Sequence, residues 1–308
     1  METYHYHPVY LMLTEQETFC GCLPIMEVDS IFTGKRGVCL SFSDCCGAVA
    51  KNKEEFRMLL ESVLALGGMS GWRYIQFRGE QYLADQACDE AYAYHELELL
   101  SDEAKMHSRL RKGTSSSIRK AEREGVTITI SQSLDDILGF YRLHCLTRRR
   151  LGLPPQPSSF FEKLHTHVIN ENLGFTVLAR YKQKTVAGLI CLNFADQAVW
   201  KYGASDDTYK HLSANNLVLW ETIKACAARG FRSLSMGRTD LDNDGLISFK
   251  NGWGATKTSV GYYRYDFESN GFVSRSKNSR KIQYQKILRY LPVDVLRVIG
   301  EFAYKHIG

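Results

Sequence analysis

Two stretches carry residues whose types and spacing could do chemistry. The first is "WKYGASDDTYKHLSANN" (200–216), which reads as the end of a strand, a polar loop and a helix start. Tyr202 lies in the strand, Asp206 and Asp207 follow its end, and Lys210 sits in the loop. An acid between a strand end and a helix N-terminus is well placed to meet a ligand at a sheet edge. The helix start, with Ser213 or Asn215 as cap and Asn216 as first residue, offers free N–H groups and partial positive charge to an anion. Yet residues 205–215 contain no glycine, so the backbone cannot wrap a pyrophosphate closely. Lys210 would act there as a point charge. The plain alternative is an ordinary surface loop.

The second stretch is "MGRTDLDNDGLISFKNGWGA" (236–255). Arg238, Thr239 and Asp240 cluster at a strand end. Phe249, Lys250 and Trp253 then fall between glycines, which suits a substrate wall with one fixed cation. The plain alternatives are a core anchor for Trp253 and a solvated Lys250. "DLDNDG" resembles a calcium loop in composition only. Its twelfth position is Asn251 rather than glutamate, so no metal is expected. No Ser/His/Asp or Cys/His constellation is forced by spacing.

The elements that must position these residues come in a repeated order. "ESVLALGGMSGWRYIQFRGE" (61–80) resembles "ETIKACAARGFRSLSMGRTD" (221–240): an amphipathic helix, a glycine (Gly71, Gly230), an aromatic and an arginine, then an alternating strand. Upstream of each, 9–28 and 176–194 read as β-hairpins with polar tips. A duplicated α+β unit follows. Between the halves, helices are expected over 115–125 with Ser115 to Ser117 as caps, over 133–152 with Ser133 as cap, and over 158–174 with Ser158 or Ser159 as cap. "LPPQP" (153–157) is a stiff corner, or one wall of a cleft.

The chain has 308 residues, 44% hydrophobic and 24% charged, so a full core can form. No run approaches the roughly 18 apolar residues of a membrane span. The start, "METYHYHPVYLML", shows no basic segment ahead of an apolar core, so no secretory leader is expected. The nine cysteines fit no zinc or disulfide framework and read as reduced thiols of a cytoplasmic protein. The net charge of +5 is uneven: residues 104–125 and 270–308 together carry +11. Two basic stripes, the first containing Arg119, on a slightly acidic body suit a polyanionic partner such as a nucleotide, an RNA or an acidic lipid surface. The alternative is a pair of solvated helix faces.

The order "IRKAEREGV", "YGAS", "ANNLVLWETI", "GRTD" and "GLISFKNGWGA" resembles the Fem-type branch of the GNAT-like acyltransferases. That branch includes peptidoglycan-bridge aminoacyltransferases and bacterial relatives beside exopolysaccharide and exosortase loci. "FSDCCG" (42–47), "TRRRLGLPPQP" (147–157) and "LPVDVLRVIG" (291–300) are similar to the latter subgroup, and Ser41 and Asp44 join the substrate-binding set on that likeness. The resemblance implies an α+β fold of two tandem GNAT-like domains, with mixed, mostly antiparallel sheets flanked by helices. The expected division is 1–112 for a shortened N-terminal domain, 113–270 for the C-terminal domain, and 271–308 for basic amphipathic C-terminal helices. The long two-helix arm of some bridge enzymes has no counterpart.

The implied activity moves an acyl or aminoacyl group onto an amine of a cell-envelope or polysaccharide precursor. The donor would be an aminoacyl-tRNA or an acyl-CoA, with no tightly bound cofactor. In the bridge enzymes the counterpart of Phe249–Lys250 sits at the transfer site. Lys250 would then meet the oxyanion or a neighbouring phosphate, and Asp206 or Asp240 would accept the ammonium proton. Tyr202 would donate to the leaving oxygen or order the acceptor. Partners would be a small-molecule or lipid-linked precursor, with tRNA a candidate. The C-terminal helices would either pack on the second domain or touch the inner face of a membrane. A monomer is expected. Two other classes stay open: an acyl-CoA-dependent N-acyltransferase on an amino sugar or amine, and a non-catalytic binding protein on the same fold.

Overall fold

The computed structural model describes residues 2–274 and 280–307, with side chains between 280 and 283 left aside. Arg275 and Lys277, and the side chains of Arg280 and Lys281 in the second basic stripe, lie outside the described residues.

The chain opens with β1 (His7–Glu15), β2 (Thr18–Val28), β3 (Arg36–Val38), α1 (Lys53–Met69), β4 (Tyr74–Arg78) and β5 (Cys88–Glu98). Then come α2 (Glu103–Ser108), α3 (Lys112–Arg123), β6 (Thr127–Ser131), α4 (Leu134–Arg150) and α5 (Ser158–Leu164), the last running into a π turn at His165–Ile169. β7 (Gly174–Tyr181), β8 (Lys184–Phe194), β9 (Gln197–Ser205), α6 (Ala214–Ala228), β10 (Ser233–Asp240) and α7 (Asp244–Asn251) follow. The last elements are β11 (Thr256–Asp266), β12 (Gly271–Val273), α8 (Arg280–Leu288) and α9 (Val293–Ala303).

Contacts divide the chain into two compact units. One holds Met1–Tyr92, Ser259–Asn278 and Glu301–Gly308; the other holds Ala93–Thr258 and Ser279–Gly300. These limits cut the chain elsewhere than the expected 112/113 and 270/271. In the first unit the strand order is β1-β2-β3-β4-β11, with β12 on β11. In the second it is β5-β10-β9-β8-β7-β6. Both sheets are mixed: β3–β4 and β9–β10 are parallel, and the hairpins β1–β2 and β7–β8 are antiparallel.

The repeat read from the sequence is therefore physical. Each unit runs hairpin, strand, helix, parallel strand. The two hairpin turns match in detail: Gln16 and Glu17 have φ 46° and 66°, and Lys182 and Gln183 have 46° and 64°. Both central residues are left-handed, the geometry that follows the strand twist through a two-residue loop. The helix-to-strand corners match as well, with Gly71 at φ 68° and Gly230 at φ 81°.

Several local expectations shift. Ser133 caps α4 by accepting from Asp136 N (3.2 Å), as its spacing predicts. Ser115 to Ser117 do not cap α3, which starts one turn earlier at Lys112 after Arg111 with no side-chain cap. Arg111 N donates instead to Gly252 O (2.9 Å). Ser158 and Ser159 lie inside α5, after Pro157, because the fixed φ of proline already sets the helix entry. α6 begins at Ala214 rather than Asn216. Phe249 and Lys250 belong to α7, capped by Asn243 accepting from Leu246 N (3.1 Å), not to a glycine-flanked loop.

The first unit's core packs α1 on its sheet through Phe56, Leu59, Val63, Trp72, Ile75 and Phe77. The second unit has a core on each sheet face. One gathers Ile118 of α3, Leu217 and Trp220 of α6, and Trp253. The other gathers Phe140 and Tyr141 of α4, Phe161 of α5 and Ile190 of β8. α9 closes this second core through Val293, and a Cβ on Gly300 would lie 2.0 Å from Pro155 O. Among the described residues no helix is long and apolar enough to cross a membrane, and no group of side chains is arranged to hold a metal ion.

Candidate active site

The second unit has one built-in opening in its sheet. β9 and β10 run parallel but share only three rungs: Gln197–Ser233, Ala198–Leu234 and Val199–Ser235. Beyond them β9 continues through Trp200–Ser205 on β8, and β10 continues through Met236–Asp240. The facing backbone edges thus splay apart and leave N–H and C=O groups unpaired with each other, ready for a ligand chain.

A bulge decides what lines the splay. On the β8 side, Ile190 faces Tyr202 and Cys191 faces Trp200, so Lys201 is an extra residue. Such a bulge breaks the two-residue alternation of side chains. Trp200 and Tyr202, two apart, therefore point to opposite faces. Trp200 joins the α3/α6 core and Tyr202 joins the α4/α5 core.

On the Trp200 face, an aromatic row runs Trp200–Phe249–Trp253, with centroid separations of 6.2 and 5.9 Å. Phe249 is half-buried, whereas Trp253 is 1% exposed and its Nε1 has no hydrogen-bond partner. Trp253 is thus a core anchor rather than a wall: Gly252 lets α7 approach Thr114, whose Oγ1 would lie 2.6 Å from any Cβ there. Lys250 is not solvated. It is 2% exposed and its ammonium donates to Gly237 O (2.8 Å) and Arg238 O (3.2 Å), pinning the outer end of β10 to α7. Arg238 is half-buried on that end, and Asp240 is exposed at its tip.

His95 of β5 completes the cluster. It is fully buried, its Nε2 lies 3.0 Å from Asn251 Oδ1, and its Nδ1 has no partner. Burial, ahead of the neighbouring Lys250 and Lys257 charges, holds its pKa below the ordinary histidine value, while the Asn251 bond opposes the shift. Thr239 Oγ1 is buried without a partner nearby in the chain. Sequence reasoning missed His95, Asn251 and Trp200. The alternation in "CDEAYAYHELE" was the available signal for His95, but nothing in it ties that histidine to α7.

On the other face, Tyr202 packs beside Phe161 (5.5 Å), His144 (5.9 Å) and Phe160 (6.1 Å), and its hydroxyl accepts from Gln156 (3.4 Å). His144 is 5% exposed. Burial, aided by Arg148, lowers its pKa to about 3. The proline-rich corner thus supplies Gln156 to the Tyr202 face.

The loop after β9 answers the question of the missing glycine. Residues Asp207–Leu212 form a 3₁₀ turn capped by Asp206, whose carboxylate accepts from Thr208 N (3.0 Å). Tyr209 N and Ser213 N donate to Asp206 O and Lys210 O. Asp207 pairs with Arg150. The N–H groups of Thr208, Tyr209 and Ser213 are thus bonded within the turn, which has Asp207 at its start and Lys210 and His211 at its end. Ser213, at φ 56°, gives α6 no side-chain cap. Asn215 is exposed and reaches back to Ser205 Oγ (3.2 Å); Asn216 is half-buried; Lys210 is exposed.

The structure therefore brings Lys250, Arg238, Phe249 and Trp253 together, and groups Asp206 with Asn215 around Ser205. It separates Tyr202 from the Lys250 cluster by the thickness of the sheet. Arg119 is exposed on α3. Ser41 and Asp44 belong to the first unit, where Ser41 Oγ is buried without a partner and Asp44 O accepts from Tyr262 (2.8 Å).

Residues 108–250 match the acetyltransferase (GNAT) domain family. No curated protein sequence matches the chain significantly. Among the solved structures that share its fold are the following three. FemX is 13% identical with a TM-score of 0.66, covering 83% of this chain and 88% of that one. The C-terminal domain of an Agrobacterium fabrum protein described as a lysylphosphatidylglycerol synthetase is 11% identical with a TM-score of 0.60, covering 93% and 88%. A tandem GNAT protein from the clavulanic acid biosynthesis pathway is 7% identical with a TM-score of 0.55, covering 85% and 83%. Residues 108–250 are thus a GNAT-type acyltransferase domain. The chain as a whole shares the two-unit α+β fold of FemX and of the tandem GNAT protein.

Proposed function

We propose that this chain transfers an aminoacyl group from an ester donor to an amine of a cell-envelope or polysaccharide precursor. The observation that carries the reading is the splay of β9 and β10 followed by an internally bonded 3₁₀ turn. The opening between the strands is kept while the N–H groups of Thr208, Tyr209 and Ser213 are committed within the turn, which favours a donor held otherwise than coenzyme A. FemX and the protein described as a lysylphosphatidylglycerol synthetase share the fold, and the latter's name speaks of joining an aminoacyl group to a lipid.

In the reaction the amine attacks the ester carbonyl carbon, the amide C–N bond forms and the ester C–O bond breaks. The ammonium proton leaves through Asp240 at the β10 tip, and the released hydroxyl takes a proton. Open N–H groups of the splayed strands stabilise the oxyanion, a contribution of about 3 kcal/mol per donor. Lys250 acts as a positioning residue: it fixes the β10 edge that presents those groups. Asp206 holds the turn, Phe249 and Trp200 flank the substrate, and Arg238 and Lys210 face its anionic parts. The exposed apolar side chains Tyr284, Ile287, Tyr290 and Val298 suit a lipid-linked acceptor.

A second reading, an acyl-CoA-dependent N-acyltransferase, is favoured by the acetyltransferase domain match itself. Thermal unfolding with acetyl-CoA, longer acyl-CoAs, charged tRNA and deacylated tRNA in separate samples decides between them. A rise with charged tRNA beyond that with deacylated tRNA is expected. A rise of several degrees with an acyl-CoA alone overturns the aminoacyl reading in favour of the second.

A further inference from the structure

Away from the splay, α2, α3 and α6 of the second unit enclose an open hollow of about 590 Å³. Its size falls in the range of small-molecule sites. Glu103 and His107 come from α2, Ile118, Arg119 and Glu122 from α3, and Trp220 from α6. The chemistry of these six is unusual for a helix groove. Ile118 and Trp220 are 3% and 4% exposed and make an apolar floor. His107 stands edge-on to Trp220, with centroids 5.7 Å apart, and is held by Ser115 Oγ at 3.0 Å.

Arg119 and Glu122, three residues apart on α3, share a helix face. Neither has an ion-pair partner among the described residues. A guanidinium and a carboxylate are therefore both left for a ligand. The chain also shows what the Trp220 side accepts. Lys224 places its own ammonium 2.8 Å from Glu221 Oε1, 3.9 Å from Glu103 Oε1 and 6.0 Å over the Trp220 ring. An indole face beside a carboxylate is an ammonium site by cation–π and Coulomb attraction.

We propose that this hollow binds a small zwitterion: a molecule carrying a primary ammonium group and, at its other end, a carboxylate or phosphate. The ammonium lies on the Glu122 carboxylate, above the apolar floor of Ile118 and Trp220. The anionic end lies on Arg119, whose planar fork matches carboxylate or phosphate oxygens. The site goes beyond the transfer reaction, and its test reads binding rather than turnover.

The test is calorimetric titration of the full chain with three matched probes: L-alanyl-L-alanine, its C-terminal amide, and its N-acetyl form. Phosphoethanolamine serves as the phosphate-bearing probe and separates the two anion sources. At least one zwitterion should bind, with the amide and the N-acetyl form weaker by about tenfold, the scale of one charge-assisted hydrogen bond. Arg119→Gln should erase the advantage of dipeptide over amide. Glu122→Gln should erase its advantage over the N-acetyl form. Both side chains are exposed, so the fold is retained, which circular dichroism checks. No heat from either zwitterion, or binding indifferent to both substitutions, overturns the proposal.

Discussion

Lys250 shows how a residue type is legible while its role is not. The sequence marks it as the fixed cation beside Phe249 and Trp253, and the three do come together. Its partners, two carbonyls on β10 supplied across a turn, depend on tertiary packing that no local pattern encodes. Replacing Lys250 with alanine leaves Gly237 O and Arg238 O without their donor and opens a cavity. A loss of about 2–4 kcal/mol in urea unfolding is expected. Transfer activity should fall as well, and Lys250→Arg should restore more of the stability than of the activity.

His144, buried on α4, is a pH probe. Its pKa is about 3 when folded and near 6.5 when unfolded. As pH falls below 6.5 the unfolded chain takes up the proton first. The stabilising contribution is complete above 6.5 and is lost as pH falls towards 3. His144→Leu should therefore flatten the acid limb of stability by up to about 1.4 kcal/mol per pH unit in that window. Denaturant midpoints at pH 7 and pH 4.5 test this; an unchanged acid limb refutes it.

At the level of elements, the hairpins and helix–glycine–strand corners were legible because hydrophobic period and turn residues are local. Gly230 has open space where a Cβ would sit, so Gly230→Ala tests the left-handed corner alone. A loss of about 1–2 kcal/mol is expected. The bulge at Lys201 was not legible, since one extra residue leaves no compositional mark. It placed Tyr202 on the wrong face for the role first assigned to it. Lys201→Ala should cost under about 1 kcal/mol, because the extra residue remains. Deleting Lys201 should cost more than about 4 kcal/mol, because one flank of β9 must turn over. Similar melting temperatures for the two variants would show that the bulge is dispensable.

At the level of the whole molecule, the duplicated plan was legible, but the return of the last residues to the first unit was not. The segment Glu301–Gly308 returns to the first unit. Within that unit Arg36, 3% exposed, donates to His306 O (2.7 Å). Tyr304 packs with Tyr4 and Phe42, with centroids 6.0 and 5.6 Å apart, and the Tyr6 hydroxyl donates to Tyr304 O. No local pattern links residues so distant in sequence. Removing residues 301–308 takes one acceptor from the buried Arg36 guanidinium, which keeps Thr33 Oγ1, and removes the Tyr304 packing, and should cost about 3–5 kcal/mol. Differential scanning calorimetry should show the loss in the first unit's transition.

That returning segment also sets an order of events during synthesis. The first ninety residues leave the ribosome with their aromatic cluster half built and one of the acceptors for Arg36 still untranslated. At roughly 5–20 residues per second they wait about ten to forty seconds for the rest. The second unit lacks only Ser279–Gly300 when its main segment is complete, so the later-made unit has the shorter wait. The nascent chain thus spends most of its translation with the older unit unfinished, the interval in which a chaperone would find it.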